Sequence, residues 1–241
     1  MKRRLDVLIQ EQFNQYSRQN IQSWIMQGKV FVNGVCNTKA GSQIAPDASI
    51  TFHKIDEERF VSRAGYKLEK ALDHFNIDVT DLVALDAGIS TGGFTDCLLQ
   101  RGIQHVFGVD VGYGQIHEKI RNNNRLTLME RTNLRYLNTV EQPIDVITLD
   151  LSFISISKVM KAVCSLLKNH GKLITLIKPQ FEATRSEIGK GGIIKDPAVH
   201  EKVVKKVVSD IESHGFILQG TVESPILGGS GNKEFLAYFI R

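Results

Sequence analysis

Asp150 and Lys178 each stand where an apolar run of the sequence gives out, Asp150 after residues 144–149 and Lys178 after residues 173–177. Apolar runs of that length read as buried strands. An ammonium at the end of a buried strand is desolvated unless a carboxylate lies beside it, so Asp150 is the natural partner of Lys178. A plain ion pair closing the sheet is the bland alternative. A third strand end carries Glu130-Arg131-Thr132-Asn133, after residues 126–129. In open α/β sheets ligands bind beyond the carboxyl ends of the strands, which gives these positions more weight than any others in the chain.

The stretch Val83-Ala84-Leu85-Asp86-Ala87-Gly88-Ile89-Ser90-Thr91-Gly92-Gly93-Phe94-Thr95 supplies the binding turn. An apolar run ending in Asp, a loop of small residues and an amphipathic segment read as strand, tight turn and helix. Glycines 88, 92 and 93 let backbone approach a ligand, and a helix starting near Gly92 aims free N–H groups at it. The spacing does not fit the GxGxxG dinucleotide fingerprint, which disfavours NAD. Asp110 ends the next apolar run, where a carboxylate can hold ribose hydroxyls, so turn and acid together point to a nucleoside-bearing cofactor. Gly88-Ile89-Ser90-Thr91-Gly92 also fits GxSxG, the nucleophile elbow of hydrolases. No oxyanion loop precedes it, and His200 and His214 fall within or just after an ordinary amphipathic helix pattern. Ser90 therefore reads as a helix cap or a pocket residue.

The elements that must position these residues follow from periodicity. Five apolar runs, at residues 83–87, 106–109, 126–129, 144–149 and 173–177, are separated by segments able to form helices, such as residues 155–167. That alternation predicts a doubly wound parallel sheet. A helix over residues 63–75 precedes it. A helix over residues 197–213 and strands over residues 216–222 and 235–240 complete it. Ahead of residue 56 the pattern is different: two short helices, with Ser17 as cap of the second and Gly28 closing it, then a hairpin at Asn33-Gly34 and a strand over residues 49–53. The charged run 56–59 divides the two parts.

The chain has 241 residues, 42% of them hydrophobic, enough for a substantial core. It contains no apolar run of spanning length and no signal-peptide pattern, which predicts a cytoplasmic protein without membrane association. Cys36, Cys97 and Cys164 are widely spaced and support neither a disulfide framework nor a zinc site, so no metal is expected. The net charge is +4, and residues 1–54 carry all of that excess, with seven basic against three acidic side chains. A basic N-terminal quarter suits a polyanion.

Arg4-Leu5-Asp6, Ser17-Arg18, Ile21, Ile25, Gly28-Lys29-Val30 and Val32-Asn33-Gly34 resemble the S4 RNA-binding domain. The resemblance implies an RNA surface that includes Arg3, Arg4, Arg18 and Lys29. Ser62-Arg63-Ala64-Gly65-Tyr66-Lys67-Leu68, Leu85-Asp86-Ala87-Gly88, Ser90-Thr91-Gly92-Gly93-Phe94-Thr95-Asp96, Asp110-Val111-Gly112-Tyr113-Gly114-Gln115, Asp150-Leu151-Ser152-Phe153-Ile154, Lys178-Pro179-Gln180-Phe181-Glu182 and Gly231-Asn232-Lys233-Glu234 resemble the TlyA family, also called haemolysins, over essentially the whole chain.

That resemblance implies an S4-like domain over residues 1–59 and, over residues 60–241, an FtsJ-like, Rossmann-like class I methyltransferase domain. The activity it implies is S-adenosylmethionine-dependent 2′-O-methylation of a cytidine ribose in ribosomal RNA, with a large-subunit target. It also implies a catalytic set of Lys67, Asp150, Lys178 and Glu234. S-adenosylmethionine is expected against Asp86, Gly88, Ser90, Thr91, Gly92, Gly93, Phe94, Asp110, Asn133 and Asp150, with residues 130–133 near the adenine. Lys178 is the candidate base. Burial and repulsion from the Lys67 ammonium would drive it towards the free amine, and Asp150 works against that shift. Lys233, inside the last motif, departs from the family pattern and is expected to alter the ion pairing of Glu234. Two other readings compete: a cytolysin, which the lack of a spanning segment or export signal opposes, and a catalytically inactive ribosome-assembly factor, which the retention of all four polar residues opposes.

Overall fold

The computed structural model describes residues 2–14, 16, 18–26, 28–52, 59–228 and 231–241. The expected cap Ser17, the end of the expected strand at His53 and most of the charged run 56–59 lie outside them. The chain divides into two compact units, residues 1–59 and 60–241.

The first unit begins with β1 (Arg3–Arg4), α1 (Leu5–Gln12) and α2 (Arg18–Met26), followed by four short strands, β2 (Val30–Val32), β3 (Val35–Cys36), β4 (Gln43–Ile44) and β5 (Ile50–Phe52). β1 pairs with β4, and β2 lies between β3 and β5, all antiparallel. Asn33 and Gly34 both take positive φ, 50° and 78°, as a two-residue hairpin turn demands. The apolar residues spaced along the two helices, Leu5, Ile9, Ile21, Trp24 and Ile25, close with Val30 into a small core. Phe13 and Trp24 pack edge-on against Phe52, which ties the helices to the strands.

The second unit opens with α3 (Ala64–His74) and β6 (Val83–Ala87), then α4 (Gly93–Gln100), β7 (His105–Val109), α5 (Glu118–Arg121), β8 (Leu126–Met129), β9 (Ile144–Leu149), α6 (Met160–Leu166) and β10 (Leu167–Ile177). It ends with α7 (Pro179–Glu182), α8 (Pro197–Glu212), β11 (Ile217–Glu223) and β12 (Phe235–Ile240). The sheet order is β11-β12-β10-β9-β6-β7-β8. Strands β8, β7, β6, β9 and β10 run parallel, and β12 is antiparallel to both of its neighbours. This is the doubly wound, mostly parallel sheet that the alternation implies.

Each face of the sheet has its own core. Leu85, Ile147, Leu173 and Phe239 meet α6 and α8 on one side. Ala84, Val146, Ile174 and Leu236 meet α3, α4 and α5 on the other. Two elements differ from the periodicity. The expected helix over 155–167 is a turn of 3₁₀ helix at Ile156–Lys158 followed by the short α6. β10 begins at Leu167, six residues before its apolar run, because Leu167 pairs with Ile144 ahead of a register shift at Lys172, with His170 at φ 61° between them. Order reverses between β6 and β9, which opens a crevice at their carboxyl ends.

Candidate active site

A cavity of about 570 Å³ occupies that crevice, lined by loops that follow β6, β7, β8 and β9. Gly88, with φ 83°, passes so close to β9 that a Cβ there would come within 2.6 Å of the Asp150 carbonyl oxygen. Only glycine fits that position. Asp110 follows β7, and its carboxylate accepts hydrogen bonds from the backbone N–H groups of Ser90 at 2.9 Å and Gly112 at 2.7 Å. Each oxygen keeps a further lone pair, so two vicinal hydroxyls can still donate to it. Gly88, Ser90, Asp110, Asn133 and Asp150 all line the cavity. Ser90 is therefore a wall residue, and the cap position of α4 is taken by Gly92 at φ 94°.

Other sequence candidates stand behind this wall. Asp86 is fully buried and accepts hydrogen bonds from the hydroxyls of Thr95 at 2.7 Å and Thr148 at 2.8 Å. It joins β6 to α4 and β9 instead of meeting a ligand. Burial pushes its carboxyl up to about 6, with the two hydroxyls opposing the shift and the Asp150 charge adding to it. Thr91, Gly92, Gly93 and Phe94 are not among the lining residues. A Cβ at Gly92 would strike Ile120 and Ile116, and one at Gly93 would strike Ser62 and Ala64. These two glycines answer to packing, and Phe94 is core. Of residues 130–133, Thr132 and Asn133 reach the cavity. Glu130 instead accepts the Gly114 N–H at 2.6 Å, and Arg131 lies over the Tyr113 ring.

Four ionisable residues form two ion pairs. Lys67 Nζ lies 2.6 Å from Glu234 Oε2, with both residues buried although 167 positions apart in sequence. Lys178 Nζ lies 2.6 Å from Asp150 Oδ1. Ile177 pairs with Phe235, so one further step of that register sets Lys178 opposite Glu234. The cavity meets this set at Asp150, since Lys67, Lys178 and Glu234 are not among its lining residues. Lys178 also donates a hydrogen bond to Ser152 Oγ at 2.9 Å. Asp150 Oδ1 is buried against the Lys178 ammonium, which compensates its charge. Lys233 pairs with Glu223 at 3.0 Å and leaves the Lys67–Glu234 pair intact, contrary to the expectation from sequence.

Two buried polar side chains hold the loops that carry these pairs. Glu182 accepts from Ser155 Oγ at 2.6 Å and Ile156 N at 2.7 Å, fastening the loop after β9 to the helix that begins beside Lys178. Asn232 accepts from Ile194 N and donates to the Gly192 carbonyl, both at 2.9 Å, two residues before Glu234. Both fall within family motifs, yet neither type nor spacing in the sequence points to this role. Gln115 and residues 151–154, which fall within the family motifs without an assigned role, also line the cavity, as do Leu134 and Arg135, which no motif includes. Phe153 is 91% exposed at φ 63° and rests against Phe181, with ring centroids 5.0 Å apart.

In the first unit Asp6 is buried and takes Arg4 through two hydrogen bonds at 2.9 and 3.0 Å, Arg18 through two at 3.2 and 3.0 Å, and Gln22 at 2.8 Å. Those contacts, Arg4 foremost, hold its carboxyl far below the usual carboxylate range. Both arginine side chains remain about half exposed. Arg3 is paired with Glu11, and Lys29 is partly exposed.

An FtsJ-like methyltransferase domain matches residues 60–241 and an S4 domain matches residues 3–50. Hemolysin A of Brachyspira hyodysenteriae is 42% identical over 98% of this chain and 99% of its own length. The 16S/23S rRNA (cytidine-2′-O)-methyltransferase TlyA of Mycobacterium tuberculosis is 37% identical over 92% of this chain and 84% of its own. A solved structure of a candidate hemolysin from Streptococcus thermophilus superposes with a TM-score of 0.79 at 40% identity, covering 100% of this chain and 88% of that one. With an S4 domain ahead of a methyltransferase sheet, and with relatives matched along nearly their whole length, the chain belongs to the TlyA family of FtsJ-like methyltransferases.

Proposed function

We propose that the protein methylates the 2′-hydroxyl of a cytidine ribose in large-subunit ribosomal RNA, in the cytoplasm, with S-adenosylmethionine as donor. The observation that carries this reading is the Lys178–Asp150 pair, set at 2.6 Å on the rim of a cavity that Asp110 also lines. The cavity falls in the range of about 300–1,000 Å³ common to small-molecule sites. Asp110 would hold the ribose hydroxyls of the donor, with Gly88 and Ser90 along its backbone and Asn133 towards the base. When bound, S-adenosylmethionine supplies an electrophilic methyl group.

The residues of the chain then have to align a ribose hydroxyl and manage its proton. Lys178 takes that proton as the free amine. Asp150 holds Lys178 at the rim. Glu234 holds Lys67 beside them and keeps its charge compensated. Phe153, exposed on strained backbone, offers a ring on which an unstacked base can lie. The half-exposed side chains of Arg4 and Arg18 would meet RNA phosphates. Among the described residues no helix is long and apolar enough to cross a membrane, so nothing in them favours the cytolysin reading.

The test is to map 2′-O-methyl groups in ribosomal RNA from cells with and without the gene. A single cytidine of the large subunit that loses its methyl in the deletion, and regains it when purified protein and S-adenosylmethionine are added to the subunits, is the expected result. An unchanged ribose map overturns the reading.

A further inference from the structure

Lys178 is held by two groups of different character. A lysine ammonium has three N–H vectors that turn freely about the terminal bond, so a charge nearby fixes where the nitrogen sits but not where each vector points. Asp150 Oδ1 lies 2.6 Å from Nζ as its ion-pair partner. A second contact is the hydrogen bond that Nζ donates to Ser152 Oγ at 2.9 Å. Ser152 lines the cavity and is itself exposed to it.

We propose that Ser152 is the positioning residue that aims the Lys178 amine at the reacting hydroxyl, an assignment that rests on the methyl-transfer reading above. With one vector pinned to Ser152 and one to Asp150, a single position of Nζ is left for the reacting hydroxyl. In the free amine that position carries the lone pair. The hydroxyl proton passes to it, and Ser152 neither gains nor loses a proton.

The loop can hold Ser152 to this task because it is fixed at both ends. The Asp150 N–H donates to the Ala87 carbonyl at 3.0 Å, and Glu182 holds Ser155 and Ile156. Between them Phe153 takes φ 63°, a conformation that costs a non-glycine residue energy and persists only when its surroundings impose it.

The experiment uses the full chain with S-adenosylmethionine and ribosomal subunits lacking the methyl group. Ser152→Ala should slow single-turnover methylation about tenfold, the effect of one lost hydrogen bond. Calorimetric affinities for S-adenosylmethionine and for the subunit should stay within about twofold of the parent protein, a constant-binding, slow-chemistry pattern that a collapsed loop would not give. Ser152→Thr, which keeps the hydroxyl, should recover most of the rate. The spectroscopic readout needs neither donor nor RNA: hydrogen exchange of the Lys178 ammonium, followed by NMR, should quicken in the alanine variant and not in the threonine variant. A parent-like rate for Ser152→Ala while Lys178→Ala is inactive overturns the assignment of Ser152 alone. Equal losses in the alanine and threonine variants overturn it too, by removing the hydroxyl from the explanation. A parent-like rate for Lys178→Ala overturns the base role of Lys178 and this assignment with it, whereas subunits left unmethylated by the parent protein itself overturn the methyl-transfer reading.

Discussion

Lys178 and Asp86 show how neighbours decide what a buried charge does. Lys178 shares its nitrogen between a carboxylate that attracts it and a hydroxyl that directs it, and its proposed action is on a proton. Lys178→Ala should therefore keep donor and RNA affinity while losing on the order of 10² to 10⁴ in single-turnover rate, the range of a positioned base. Lys178→Arg separates charge from basicity, because a guanidinium stays protonated throughout catalysis. It should be nearly as inactive as alanine, and substantial turnover by it would return Lys178 to a purely electrostatic role. Asp86 has no access to a ligand, and its effect is on stability. Its folded carboxyl titrates at about 6, above the value of about 3.9 of an unfolded chain. Between those values the native state holds a proton that the unfolded chain has released, so the fold loses stability as pH rises through that window. The loss comes to about 3 kcal/mol. Asp86→Asn carries no such titration, so urea melts should show the variant gaining on the parent by about that amount from about pH 4 to about pH 7. A pH-independent difference would mean that Asp86 is ionised throughout. Strand-end position singled out Asp110 and Asp150, which line the cavity, and Lys178, which pairs with Asp150, but it also promoted Asp86, which lies within a strand covered on both faces. Lys67 and Glu234 came from resemblance alone, since no spacing rule connects residues so far apart.

Loops at the ends of β9 and β10 are shaped by one carboxylate that belongs to neither pair. Glu182 sits in α7, four residues after Lys178, and its two hydrogen bonds close the turn that holds Ser152 and Phe153. Burial raises its carboxyl while those two donors oppose the shift. Glu182→Ala would leave the Ile156 N–H buried without an acceptor and remove a hydrogen bond from Ser155. The expected cost is about 2–4 kcal/mol in urea unfolding, together with faster exchange of the Ile156 amide. Exchange as slow as in the parent would show that the turn closes without Glu182. The element pattern itself was legible because each parallel strand is covered on both faces and reads as an unbroken apolar run. What failed to read were elements defined by hydrogen bonds without apolar burial. The polar start of β10 follows its neighbour through a register shift, and a helix pattern that looked continuous over 155–167 is broken at Val159, between a turn of 3₁₀ helix and α6.

Charge is unevenly spread over the whole molecule, and the first unit shows why a count of basic residues understates its design. The sequence located the basic excess in residues 1–54 but treated Asp6 as one charge against it. In the structure Asp6 is the buried anchor on which Arg4 and Arg18 converge, each with part of its guanidinium still exposed. If this unit supplies RNA affinity, a chain starting at Phe60 should bind S-adenosylmethionine as the full protein does and fail to methylate ribosomal subunits at the parent rate. Replacing Arg4 or Arg18 by Ala should each lower the salt slope of RNA binding by about one unit. Asp6→Asn discriminates between simple attraction and orientation. It adds one positive charge to the unit, so attraction alone predicts tighter binding and a steeper slope. Orientation predicts the reverse, because guanidiniums released from a shared carboxylate lose the fixed spacing that two phosphate contacts need and must be ordered again on binding. RNA titrations across a range of salt concentrations, on a variant whose unfolding midpoint shows the S4 unit intact, should give weaker binding for Asp6→Asn despite its higher charge. Tighter binding would reduce Asp6 to a structural counter-ion.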